Sequence, residues 1–225
     1  YTYAIDAATA KRLATRRYGF HGTSHNYVSH TMAAFLGHHY DDLKMIVCHL
    51  GNGASVSAVA GGRPVETSMG LTPLQGLVMG TRSGDIDPGV HAYLCRSGLS
   101  IDEVDTLLNK KSGMLGLCGR NDFRDVGSAM AEGDADAKLA FDVYIHRLVG
   151  YIGNYMAVLG GVDALAFTAG VGENDQKVRA AVCERLANLG FHLDDDRNSV
   201  RNKQPRLIST DESPVKVLVV PTNEE

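Results

Sequence analysis

The 225-residue sequence has no GxxxxGK[ST] segment, which excludes a P-loop nucleotide enzyme. It has no excess of positive charge. Twenty-two Lys and Arg stand against 26 Asp and Glu, a formal net charge of −4, which argues against a dedicated nucleic-acid binder. Its longest uncharged apolar stretch, Leu148 to Val162, is interrupted by Asn154 and glycines. That stretch falls short of the roughly 20 residues a membrane-spanning helix needs. The four cysteines, Cys48, Cys95, Cys118 and Cys183, form no CxxC pair and no zinc-like spacing, so they read as thiols in a reducing cytoplasm. No low-complexity tract, repeat or Ser/Gly linker appears, and 44% hydrophobic residues suffice for a globular core. The chain starts at Tyr1 without methionine and stops at Glu225 straight after an apolar run, so we expect a piece of something longer.

Apolar periodicity outlines the elements. Thr23 or Ser24 is a candidate cap for a helix carrying Val28, Met32, Phe35 and Leu36, closed by Gly37. Met45–Leu50, Ala54–Ala60 and Pro64–Thr67 read as three strands joined by glycine turns. Thr72-Pro73 has the pattern of a helix start, and Ser100 with Glu103 that of a capping box. The longest helix is expected from about Asp134 to Leu159, with Phe141, Tyr144, Ile145, Leu148, Ile152, Tyr155 and Leu159 on one face. That face suits either a core or a dimer interface. A strand (Ala164–Thr168), a glycine turn, a helix (Asp175–Leu189) and strands near Arg206–Ser209 and Val215–Val220 complete the chain. This is an α/β order whose last strand lacks a covering helix.

Four loops have the composition of binding sites. His49-Leu50-Gly51-Asn52-Gly53 is either an ordinary hairpin turn or a nest of N–H groups for an anion. Gly170-Val171-Gly172-Glu173-Asn174 passes from a strand toward a helix, a place where phosphates bind, although the dinucleotide fingerprint is incomplete. Arg82 lies on the glycine-flanked loop Gly80–Gly89, either free to grip phosphate or carboxylate or paired with Asp85 or Asp87. His21 and His25 have the spacing of helical zinc ligands, but the HExxH glutamate is absent and structural hydrogen bonding fits better.

Taken together, RRYGFHGTSH (Arg16–His25), HLGNGASV (His49–Val56), ETSMGLTPLQGLVMGTRSGDIDPG (Glu66–Gly89), FTAGVGEN (Phe167–Asn174) and PTNEE (Pro221–Glu225) resemble, in order, the motifs of the acetate kinase family. The resemblance spans essentially the whole chain. It implies an actin-like ATPase (ribonuclease H-like) α/β fold with a mixed sheet flanked by helices. Residues 1–43 would lead into a C-terminal nucleotide-binding lobe, 44–225, that lacks its final helix and its N-terminal partner lobe. It implies reversible phosphoryl transfer between ATP and acetate, with propionate or butyrate as alternative acids. As isolated, the piece would be inactive or a nucleotide-binding and dimerisation module. His21 and Arg82 would act on the transferred group. His49, Leu50, Gly51, Asn52 and Gly53 would cradle phosphates, Asp122, Phe123 and Arg124 would line the nucleotide site, and Gly170, Val171, Gly172, Glu173 and Asn174 would receive adenosine. Glu224, or its neighbour Glu225, would bind Mg²⁺ (or Mn²⁺). A cytoplasmic homodimer is also implied, with no nucleic-acid or membrane partner.

Overall fold

The computed structural model describes residues 1–222. Two helices, α1 (Ala7–Arg12) and α2 (Gly22–Leu36), precede the strand meander β1 (Met45–Leu50), β2 (Ala54–Ala60) and β3 (Arg63–Thr67). Helices α3 (Gly89–Arg96), α4 (Ile101–Lys110), α5 (Gly113–Cys118), α6 (Phe123–Ala131) and α7 (Ala135–Leu159) follow. Then come β4 (Ala164–Thr168), α8 (Ala169–Asn174), α9 (Gln176–Arg185), α10 (Asp195–Ser199), β5 (Arg206–Leu207) and β6 (Lys216–Val219). The six strands form one sheet in the order β3-β2-β1-β4-β6-β5. The meander is antiparallel, β4 and β6 join it in parallel, and β5 closes the far edge antiparallel. This is the mixed sheet of the ribonuclease H-like, actin-type fold expected above.

Side-chain alternation decides the layers. Met45 and Val47 of β1 point to α2, where they bury with Val28, Met32, Ala164, Ala166 and Leu218. Ile46, Cys48 and Leu50 point to the other face, against Tyr144, Leu148, Ile152 and Phe167. The apolar stripe of α7 is therefore core, each large side chain contributing about 1.5–3 kcal/mol by leaving water. The last strand is covered on both faces: Val217 and Val219 join the α7 layer and Leu218 and Val220 the α2 layer, all four at 0% exposure. No bare face is seen on this strand among the described residues: Leu218 and Val220 share their cluster with Val28 and Met32 of α2, which precedes the sheet in sequence.

Three local expectations fail, each for its own reason. Helix α2 starts at Gly22 after His21 in a left-handed conformation (φ 59°), and neither Thr23 nor Ser24 caps it. The Ser24 hydroxyl instead bonds His49. Thr72-Pro73 starts no helix; the Thr72 hydroxyl accepts from Leu74 N in a local turn at 3.3 Å, and Asp85 Oδ1 accepts from Gly76 N at 2.9 Å. The glycine run after β4 is itself the helix α8, entered through Ala169 at φ 64°. The capping box at Ser100 and Glu103 is present as expected.

Candidate functional site

The turn of the β1–β2 hairpin is closed by Gly51 N donating to Gly53 O at 3.1 Å. A side chain at Gly53 would meet two groups from distant segments: Arg82 Nη1 at 3.2 Å, and His21 Cε1 and Nε2 at 3.8 Å. Hairpin, arginine and histidine thus converge on one point, and glycine is what leaves room for them. Asp85 and Asp87 do not pair with Arg82. Asp85 accepts from Gly76 N and Tyr151 and lies 3.8 Å from Arg147, while Asp87 caps Gly89 N. The side-chain bonds of Arg82 are long, 3.4 Å to Pro73 O and 3.5 Å to Met79 Sδ, and no carboxylate among the described residues pairs with it. A planar cation with no carboxylate partner among the described residues, beside a glycine-rich turn, suits a multiply charged anion.

Backbone, not side chain, holds that arginine. Met79 N donates to Arg82 O, Ser112 N to Thr81 O, Met114 N to Met79 O and Leu115 N to Gly80 O, so the loop is bonded to the start of α5. Gly80 N donates to Asn52 O at 3.0 Å, tying the same loop to the hairpin turn. The Asn52 carboxamide occupies the space a Gly80 side chain would need, 1.9 Å from the Cβ position.

Behind this point lies a cluster of three imidazoles. His21 stacks on His49 with centroids 4.1 Å apart and planes 22° from parallel. His21 Nδ1 and His25 Nε2 both meet Ser55 Oγ, at 2.9 and 2.7 Å, and His49 Nδ1 meets Ser24 Oγ at 2.8 Å. Burial, reinforced by the neighbouring rings, pushes His25 down to about 3 and His49 down to about 4, so both are neutral. Sequence reasoning gave Ser24 only the role of a helix cap and gave Ser55 none. Ser55 stands opposite His49 in the hairpin register, a position that could have been read from the turn.

On the other side of the hairpin turn a groove of about 940 Å³ runs between α6 and α8. Gly51, Asn52, Asp122, Phe123, Arg124, Gly170, Val171 and Asn174 line it, which brings together eight of the thirteen residues expected at a nucleotide site. Lys177 and Arg201 also line it and were not foreseen. Asp122 caps α6 through Arg124 N and accepts from the Arg124 guanidinium, whose hydrogen bonds hold the carboxyl at about 2. Phe123 is mostly core, edge-on to Tyr144 at 4.7 Å.

Five expected residues stand elsewhere. Leu50 is fully buried in the sheet, and His49 faces the imidazole cluster. Gly53 lies under Arg82. Gly172 is buried, the Cβ position 3.3 Å from the Phe167 backbone; its missing side chain serves helix–strand packing, whereas Gly170 opens to the groove. Glu173 accepts from Thr222 N and Oγ1, tying α8 to the segment after β6. Glu224 and Glu225 lie outside the described residues. Among the described residues no group of three His, Cys, Asp or Glu could hold a metal ion. No helix among them is long and apolar enough to cross a membrane.

The sequence matches the acetokinase family profile over residues 1–225. It is 62% identical to a protein named acetate kinase from Leifsonia xyli subsp. xyli, covering 100% of this chain and 57% of that protein. Another named acetate kinase, from Streptomyces avermitilis, is 62% identical over 99% of this chain and 55% of its own length. Among solved structures, acetate kinase from Porphyromonas gingivalis superposes with a TM-score of 0.96 at 44% identity, covering 100% of this chain and 57% of that one. A propionate kinase from Francisella tularensis superposes at 0.92 with 46% identity, covering 99% and 57%. The chain thus spans little more than half the length of the relatives it matches.

Proposed function

We propose, from the premise that this chain belongs to the acetokinase family, that the protein carrying it transfers the γ-phosphoryl group of ATP to acetate, reversibly, giving acetyl phosphate and ADP. The observation that carries this reading is the convergence of Arg82 and His21 on the Gly53 turn, at one end of a groove able to hold a nucleotide. A carboxylate oxygen attacks the γ-phosphorus while the bond to the ADP oxygen breaks, so the protein must chiefly align reactants and neutralise charge. Arg82, without a carboxylate partner among the described residues, offers its guanidinium to the carboxylate and the equatorial phosphoryl oxygens. His21 donates a hydrogen bond to the same oxygens. The turn at Gly51–Gly53 with Asn52 meets the β- and γ-phosphates, and the groove between Asp122–Arg124 and Gly170–Asn174 receives adenosine.

Mg²⁺ (or Mn²⁺) would neutralise phosphate charge from Glu224, the hard oxygen ligand such ions favour. The reading includes a cytoplasmic homodimer. The stripe of α7 is occupied by the core, so an interface has to use other surface, and an elution volume at micromolar concentration tests it. The activity is tested by following ADP formation from ATP with acetate, propionate and butyrate in the protein that carries both this lobe and the rest of its length. A kcat/KM larger for propionate or butyrate than for acetate would move the assignment to that acid. No transfer to any of the three would overturn it.

A further inference from the structure

We infer that Ser55 and His25 are positioning residues that fix the tautomer of His21, holding its Nε2 protonated toward the reacting phosphoryl group. The inference rests on the role of His21 given above, and it starts from a hydrogen count. The Ser55 hydroxyl is fully buried and touches two imidazole nitrogens, His21 Nδ1 at 2.9 Å and His25 Nε2 at 2.7 Å. A hydroxyl has one hydrogen and two lone pairs. Accepting from both rings would leave its own hydrogen buried with no acceptor among the described residues, since Ser55 Oγ meets only these two nitrogens there. It therefore donates to one ring and accepts from the other, which leaves two arrangements. In the first, His25 Nε2–H donates to Ser55 Oγ, and Ser55 Oγ–H donates to a bare His21 Nδ1. A His21 that carries one proton then carries it on Nε2, which lies 3.8 Å from the Gly53 Cβ position, as Cε1 does, with Arg82 Nη1 3.2 Å from the same point. In the second, His21 Nδ1–H donates to Ser55, which donates to His25 Nε2, and the His25 proton moves to Nδ1.

The far nitrogen of His25 decides between them. His25 Nδ1 is buried and has no hydrogen-bond partner among the described residues. The first arrangement leaves there a bare lone pair, and the second a buried N–H with no acceptor. Orphaned buried N–H donors are the rarer and costlier of the two. The burial that keeps His25 neutral excludes a form with protons on both nitrogens and is common to the two arrangements, so the unpartnered Nδ1 is what separates them. The relay thus presents His21 as a donor toward Arg82, where an anion's oxygens would lie, without requiring it to be cationic.

The test is the two-bond ¹H–¹⁵N imidazole spectrum of the protein, read beside steady-state kinetics. The wild type should show His21 protonated at Nε2 and bare at Nδ1. Ser55→Ala should give a mixture of His21 tautomers and lower kcat about tenfold, the low end of what an orienting partner of a functional histidine contributes. KM for the nucleotide should not change. His25→Gln keeps an amide donor near the place of Nε2 and should retain both the tautomer and most of kcat, whereas His25→Leu should lose both. If Ser55→Ala fails to fold, the wild-type spectrum with His25→Gln still decides the matter. His21 protonated at Nδ1 in the wild type, or unchanged tautomer and kcat in Ser55→Ala, would overturn the relay. A wild type in the Nε2–H form that transfers no phosphoryl group to any short acid would support the relay and overturn the function above.

Discussion

Replacing Gly113 by alanine tests whether Arg82 is placed by backbone contact with the start of α5. Gly113 has φ 61°, and a Cβ there would lie 2.1 Å from Met79 O, 2.6 Å from Arg82 O and 3.0 Å from Arg82 N. Since contacts under 3.0 Å are not tolerated, the 79–82 loop must recede by about 1 Å. The bonds from Ser112 N, Met114 N and Leu115 N to that loop stretch together. A left-handed alanine costs about 1–2 kcal/mol, and strained bonds add to it. A displacement of about 1 Å in a positioned group costs roughly 10²-fold in rate. Gly119→Ala is the control: φ is 71°, but nothing lies within 4 Å of its Cβ position. It should lose about 1 kcal/mol in urea denaturation with kcat intact. Gly113→Ala should lose more stability and about 10²-fold in kcat. A Gly113→Ala protein with kcat within about twofold of wild type would refute the reasoning.

Arg82→Ala should lower kcat by on the order of 10³, the low end for an arginine stabilising a phosphoryl-transfer transition state; a loss below about tenfold would remove it from that role. Gly170→Leu should weaken Mg–ADP binding in calorimetric titration while leaving stability unchanged, because its side chain enters the groove. Gly172→Ala should do the reverse, since its Cβ meets the Phe167 backbone at 3.3 Å. Arg179 is 2% exposed and donates to Gly172 O, Glu173 O, Asn198 O and Asn198 Oδ1. Arg179→Met should destabilise by about 3 kcal/mol, leaving buried acceptors unpaired; equal denaturation midpoints would contradict that. His25 and His49, neutral in the fold at pKa values of about 3 and 4, gain protons on unfolding below their ordinary 6.5. Their contribution is therefore complete above about pH 6.5 and declines as the pH falls toward 4. The urea midpoint should drop between pH 7 and pH 5, less so in His25→Gln, and identical midpoints would exclude the effect.

Some features of this protein follow from local sequence alone. The three meander strands, the Ser100–Glu103 box and the 25-residue α7 were legible because each rests on periodicity or on a cap within four residues. The motifs around His21, His49, Arg82 and Gly170 were equally legible, since residue type and spacing carry the family likeness. What escaped local reading depends on partners far along the chain. Ser24 carries a helix-capping side chain that bonds His49 instead, and Gly170 and Gly172, two residues apart, face groove and core respectively. Ser55 is an unremarked strand residue until folding sets it between two histidines about 30 positions away. Local spacing thus determined which residues could do chemistry, while only the packing of α2, the hairpin and the Arg82 loop decided which would meet. Hydrogen-bond geometry and buried contact act through space, and no spacing in the chain encodes them.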